Sequence, residues 1–235
     1  RSRRQRQMCI RDRMGDAIAT GVRTGLGVVT AQGYGAGKKE EELAHILSTG
    51  FQVALCAAAA FSFIAQLFLP LFVRFYALGP TISSIAMRYG RIVFIGMAFK
   101  MMHFSYSQAF QSFGDSVSAF RINFLGLLLN VVLDPLLIAG VGPFPAWGVD
   151  GAAWATTLSQ VAVFFLFRRA AHRLGQKNTF AQNPTSLLDR MRWLAPMKKD
   201  VAQRVVRIGV PVTLLIGTFC IINLLLSRML AGIGA

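Results

Sequence analysis

The sequence predicts an all-α membrane protein, a polytopic bundle of transmembrane helices. Three observations carry this reading. Hydrophobic residues make up 54% of the 235 residues and charged residues only 15%, where an ordinary soluble domain carries about 25% charge. Apolar stretches long enough for a spanning helix, which needs about 20 residues, recur along the chain. The basic excess sits in two blocks. Residues 1–13 hold six Arg against one Asp, and residues 168–207 hold ten Lys or Arg against Asp189 and Asp200, together +13 of the net +15. This is not the spread-out basic face that binds nucleic acid, and the apolar content excludes a disordered chain. Cys9, Cys56 and Cys220 are widely spaced, show no metal-ligand pattern, and read as small hydrophobes where they lie in apolar runs.

The helices come in order along the chain. Ala17–Gly37 reads as a helix interrupted by Arg23. Leu43–Val73 contains no Asp, Glu, Lys or Arg over 31 residues and has Pro70 near its end. Ile85–Phe113 is a span with Arg88 and Arg91 at one end and Lys100 and His103 inside it. Ala119–Ala139 is next, with Asp134 inside. Gly151–Phe167 is uncharged and ends at Arg168-Arg169, and Ile208–Ser227 is the last uncharged span. None shows the alternation of a transmembrane strand.

The joints carry breaker residues. Gly35-Ala36-Gly37-Lys38-Lys39 is a polar turn. Leu78-Gly79-Pro80-Thr81 is a second, with Thr81 expected to cap the next helix. Gly114-Asp115-Ser116 is a third, and Gly140 to Pro145 a rigid fourth beside an interfacial Trp147. The fifth, about 170–205, is long and basic. Its Leu187, Leu188, Met191, Leu194 and Met197 recur at helical spacing, so it reads either as a helix lying flat on the bilayer or as a solvated linker. The positive-inside rule puts this joint and the Lys38-Lys39 turn in the cytoplasm, and the Lys- and Arg-free joint after Gly140 outside. Residues 1–13 bear no relation to the rest of the chain and resemble translated adapter DNA, so they are excluded from fold reasoning.

An ionisable residue inside a span is a functional candidate, because placing it there costs several kcal/mol or more. Asp134 is the carboxylate deepest in any span. At 100° per residue, Asn123, Asn130 and Asp134 fall within about 40° of one another, as one stripe. Pro135 frees the Val131 carbonyl, four residues back, of its usual donor. A carbonyl, an amide and a carboxylate together suit a hard cation such as Na⁺, or a proton. Asn123 reads first as a polar tie between helices. Lys100 and His103, three apart, share a face and could line a cavity. The Phe and Met residues from Phe94 to Phe110 read as helix-packing residues before they read as a drug pocket. Gly21 and Gly25, and the run Gly148 to Ala155, mark places of close helix approach. Neither a Walker loop nor a zincin helix nor a Ser-His-Asp arrangement appears in the sequence, so enzyme readings have no support.

The segments Ala31 to Gly37, Gly114-Asp115, Asn130 to Ile138, Gly148 to Thr156 and Ile208 to Pro211 resemble the multidrug and toxic compound extrusion (MATE) family of transporters. The most specific part is Asn-x-x-x-Asp-Pro followed by Gly-x-x-Gly-Ala-Ala-x-Ala-Thr. The resemblance implies a twelve-helix protein of two lobes, of which this chain covers about helices 2 to 7. Residues 15–172 would then be a partial amino-terminal lobe, 173–206 a cytoplasmic basic linker, and 207–235 the first helix of the second lobe. It also implies a Na⁺ or H⁺ coupling site at Asn130, Asp134 and Thr156, with Thr157 as the neighbouring alternative, and no cofactor. The implied function is a cation-coupled antiporter in the cell membrane that exports amphipathic or cationic drugs. Its partners would be the small-molecule substrate, membrane lipid and the missing lobe. Lys100 departs from the family pattern and keeps a lipid-linked sugar flippase in view. A non-transporting membrane interaction protein is the reading outside transport. Asn123, Asn130 and Asp134 are expected to face the bundle interior with Asp134 mostly buried, and the last helix is expected to pack loosely.

Overall fold

The computed structural model describes the backbone of residues 3–75, 80–140, 146–177, 187–189 and 195–233, with side chains described over a somewhat smaller set. Among the described residues six long helices succeed one another: α1 (Arg3–Gly35), α2 (Glu40–Phe75), α3 (Pro80–Ser112), α4 (Ser116–Ala139), α5 (Val149–Lys177) and α6 (Lys199–Ile233). Five of them, α2 to α6, are long and apolar enough to cross a membrane. The helix bundle is the predicted fold class.

Most helices outrun the apolar stretches that announced them. α5 continues through Arg168-Arg169 to Lys177, and α6 starts at Lys199 rather than at Ile208. Arg, Lys, Gln and Ala are strong helix formers, so the backbone ladder continues where apolarity ends. α1 runs unbroken from Arg3 through the block that sequence set apart, and the side chains of residues 1–15 lie outside the described set. Thr81 lies inside α3 rather than capping it. Pro80 takes the first helical position, where its missing N–H costs nothing. Asp115 caps α4, its carboxylate accepting from the Ser118 N–H at 3.1 Å. Gly140 ends α4 in the left-handed region at φ 71°, which glycine adopts without strain.

A wide strip of α4 faces outward. Ala119, Ile122, Gly126 and Leu137 are its buried residues, while Phe120, Phe124, Leu127, Val131 and Val132 are exposed. In water such a surface would aggregate; against lipid tails it is at home. The core lies between α1, α2, α3 and α5, where Phe51, Met102, Tyr106, Phe110 and Phe167 pack together. Most of the described Phe and Met side chains of α3 therefore serve helix packing, Met97, Met101, Met102 and Phe110 being buried. Cys220 is buried as expected, but Cys56 is exposed on the outer surface of α2.

Small residues set the close contacts. A Cβ on Gly151 would overlap the Leu137 carbonyl, and one on Gly126 would overlap Val163, so α4 and α5 approach closely and run antiparallel. A Cβ on Gly21 would lie 2.6 Å from the Gly209 carbonyl oxygen, and one on Gly25 would overlap the Val205 carbonyl. This corrects the expectation of a loosely held last helix. α6 packs backbone to backbone on α1, because the two glycines remove the side chains that would hold it off.

The long joint is also corrected in part. Leu187 and Leu188 are buried in the main core rather than laid on the bilayer. Further along, Gln52 Nε2 donates to the Ala195 carbonyl at 2.6 Å and the Lys198 N–H to Thr49 Oγ1 at 3.3 Å, tying the joint to α2. Met197 is exposed, and Met191 and Leu194 lie outside the described residues.

Candidate functional site

The α4 stripe divides into three different environments. Asn123 Nδ2 donates to Ser107 Oγ on α3 and to the Ala119 carbonyl, both at 2.9 Å. It ties α3 to α4. Asn130 buries its Nδ2 without a hydrogen-bond partner among the described residues. Asp134 forms neither a hydrogen bond nor an ion pair among the described residues, and it is largely but not fully buried, in line with the expectation. The reason is its angular place. It lies about 80° around the helix from Gly126, at the edge between the face on α5 and the exposed strip.

Thr156 donates to the Ala152 carbonyl of its own helix at 3.0 Å. Gly126 lies against Val163 and Gly151 against Leu137. This antiparallel register sets Thr156 level with residues 132–133, between Asn130 and Asp134. Thr157 turns instead to α3 and donates to the Ile92 carbonyl at 3.2 Å. Among the described residues no hydrogen bond joins Asn130, Asp134 and Thr156, and no group of three or more His, Cys, Asp or Glu could hold a metal ion. The donor set fits a weakly held hard cation or a proton better than a transition metal, having one carboxylate and otherwise neutral oxygens.

His103 is packed inside the bundle. It is buried and stacks 6.4 Å from the Phe167 ring. Lys100 finds a carboxylate within the chain. Its Nζ lies 2.5 Å from Asp16 Oδ1 on α1, with 21% of the lysine side chain and 40% of the aspartate side chain exposed. Both Lys100 Nζ, at 5.6 Å, and the Arg23 guanidinium, at 5.2 Å, sit over the Phe104 ring. Sequence reading missed Asp16, which borders the basic block set aside. The available signal was its spacing. Asp16 and Arg23 are seven apart and share a face, and Lys100 needed a counter-charge. It also missed the ion pair of Arg88 with Asp150 at 3.0 Å, which joins the starts of α3 and α5.

Elsewhere, a cavity of about 250 Å³ between α1, α2 and α6 is lined by apolar residues such as Val22, Val53, Ala57 and Val210. It contains none of the sequence-predicted site residues.

Known proteins agree with this architecture. The MatE family profile matches residues 15–136. A probable multidrug resistance protein, YoeA of Bacillus subtilis, is 26% identical over 202 residues, covering 84% of this chain and 41% of the relative. A FAD transporter of Shewanella oneidensis is 29% identical over 177 residues, covering 74% of this chain and 37% of the relative. The inward-facing structure of a multidrug resistance MATE family transporter of the MOP superfamily superposes with a TM-score of 0.76 at 22% identity, covering 91% of this chain and 46% of that one. The chain thus spans less than half the length of these relatives. With six helices in the matching arrangement and a family match over more than half of its residues, the chain belongs to the MatE family, whose members are multi-pass membrane transporters and not enzymes.

Proposed function

We propose that the chain is part of a cation-coupled antiporter that exports amphipathic small molecules, with H⁺ or Na⁺ binding at Asp134, Asn130 and Thr156. One observation carries this reading: Asp134, inside a spanning helix about one and a half turns from its end, has no ion pair among the described residues, beside an Asn130 amide that is buried and unsatisfied there. A carboxylate inside a span draws a cation or a proton, because the isolated charge is costly there. Cation binding would then favour one packing of the lobe over another. Alternating access comes from rocking one lobe against the other, with residues 207–235 belonging to the second lobe. The names of the relatives support small-molecule export and span drugs and a flavin dinucleotide.

A second reading, a lipid-linked sugar flippase, is favoured by the two cations Arg23 and Lys100 over Phe104. The test reconstitutes the full-length transporter into proteoliposomes under an imposed proton or Na⁺ gradient. Antiport predicts dye movement that stops when an ionophore collapses the gradient. Gradient-independent movement of a lipid-linked sugar, without dye movement, would replace the first reading with the second.

A further inference from the structure

We propose that Arg23, Lys100 and Phe104 form a recognition site for the anionic group of an amphipathic, ring-bearing compound, such as an aromatic carboxylate. This rests on the transporter reading and gives its substrate a charge opposite to that of the cationic drugs expected from the family resemblance.

The argument begins with placement. Asp16 and Arg23 lie two turns apart on one face of α1, and Lys100 and Phe104 one turn apart on one face of α3. Asp16 meets Lys100, Arg23 meets Phe104, and Ser112 Oγ donates to the Gly27 carbonyl at 3.1 Å, so the two helices run parallel with these faces opposed. Among the described residues the strip therefore holds two cations against one carboxylate. α3 carries no Asp or Glu anywhere along its length. Asp134, the carboxylate of α4, pairs with neither cation among the described residues.

Charge balance gives the chemistry. Asp16 neutralises one cation and leaves one in excess within the bundle, where an uncompensated charge is costly. Lys and Arg only donate hydrogen bonds, so the group that completes the strip is an acceptor with negative charge. Phe104 holds both cations over its ring, which orders them before any ligand arrives and lowers the entropic cost of binding. Its apolar body suits a ligand whose anionic end is joined to rings. The strip is reachable, since Lys100 and Asp16 each keep part of their surface exposed. Away from Lys100 the same side of α3 continues in neutral groups, Ser107 and Gln111, with Ser107 Oγ accepting from both Gln111 Nε2 and Asn123 Nδ2. The excess charge is thus confined to one level of the helix.

The test uses the full-length transporter in phosphatidylcholine nanodiscs, with carboxyfluorescein as the anionic probe and ethidium as the cationic one, read by fluorescence anisotropy. Carboxyfluorescein should bind more tightly than ethidium. Lys100→Gln and Arg23→Gln should each weaken carboxyfluorescein about tenfold, the size of one lost charge-assisted contact. Asp16→Asn should tighten it by about threefold or more, since it releases Lys100 from its partner. A gain in affinity does not arise from misfolding. Tighter ethidium binding, or carboxyfluorescein affinity unmoved by Asp16→Asn and Lys100→Gln, would overturn the site. In proteoliposomes of the same protein, gradient-driven ethidium efflux without carboxyfluorescein binding would overturn it and leave the transporter reading standing. Tight carboxyfluorescein binding without gradient-driven efflux of either dye would do the reverse.

Discussion

Two carboxylates in this chain stand in opposite conditions. Asp16 on α1 is held by Lys100 of α3 at 2.5 Å. Asp134 on α4 has no cation of the chain beside it among the described residues. The first has its counter-charge built in, so its electrostatics are fixed by folding. On the proposed reading the second takes its counter-charge from outside the chain, and its electrostatics would then change with ion concentration. A coupling site needs the second condition, because an ion already tethered cannot report a gradient. The neighbouring amides sharpen the contrast. Asn123, next to the α3 tie, has two partners for its Nδ2, while Asn130, one turn from Asp134, has none among the described residues.

The comparison breaks first at Asp134. Asp134→Asn in the full-length protein keeps size and hydrogen bonding but removes charge and titration. Gradient-driven dye efflux should fall to background at matched expression, with membrane insertion unchanged. Wild-type efflux from this variant would make Asp134 a structural residue and erase the distinction between the two acids.

A smaller effect separates the two amides. Asn130→Ala should lower coupled efflux several-fold with little loss of thermal stability. Asn123→Ala should do the opposite, lowering stability by about 1–2 kcal/mol through its lost hydrogen bonds while efflux is retained. Efflux rates beside melting curves in detergent decide between them, and equal behaviour of the two variants would mean that the stripe has a single role.

The smallest effect concerns the built-in pair. A double-mutant cycle with Asp16→Asn and Lys100→Gln should give a coupling energy of about 1 kcal/mol in thermal stability, as expected for a partly exposed pair. A coupling near zero would show that Asp16 is as unattached as Asp134.

The sequence made much of this legible, and its failures have physical causes. The five helices α2 to α6 are visible as apolar runs, because a bilayer demands length and apolarity from each segment independently of the others, and α1 shows only as a shorter run broken by Arg23. Their ends are less visible, since α5 and α6 extend into basic residues that favour helix without favouring lipid. The Gly21 and Gly25 spacing announced a close contact but not its partner. Pairing between helices depends on tertiary packing, and the match lies on α6, far away in sequence. Asp134 stood out because its own helix is otherwise uncharged beyond Arg121. Asp16 did not, because it comes soon after a run of Arg residues and is explained only by Lys100, a residue 84 positions away.

The α1–α6 seam has a consequence for how the chain is made. Gly21 and Gly25 meet Val205, Gly209 and Thr213, roughly 180 residues later. At about 5–20 residues per second of synthesis, α1 waits on the order of 10–40 seconds before its partner exists. Through that interval its glycine face, shaped to fit another backbone, is open to lipid or to any other helix with small residues. This contact becomes possible later than those α1 makes with α2 and α3, and the wait for it is an interval in which the glycine face is open to mispairing.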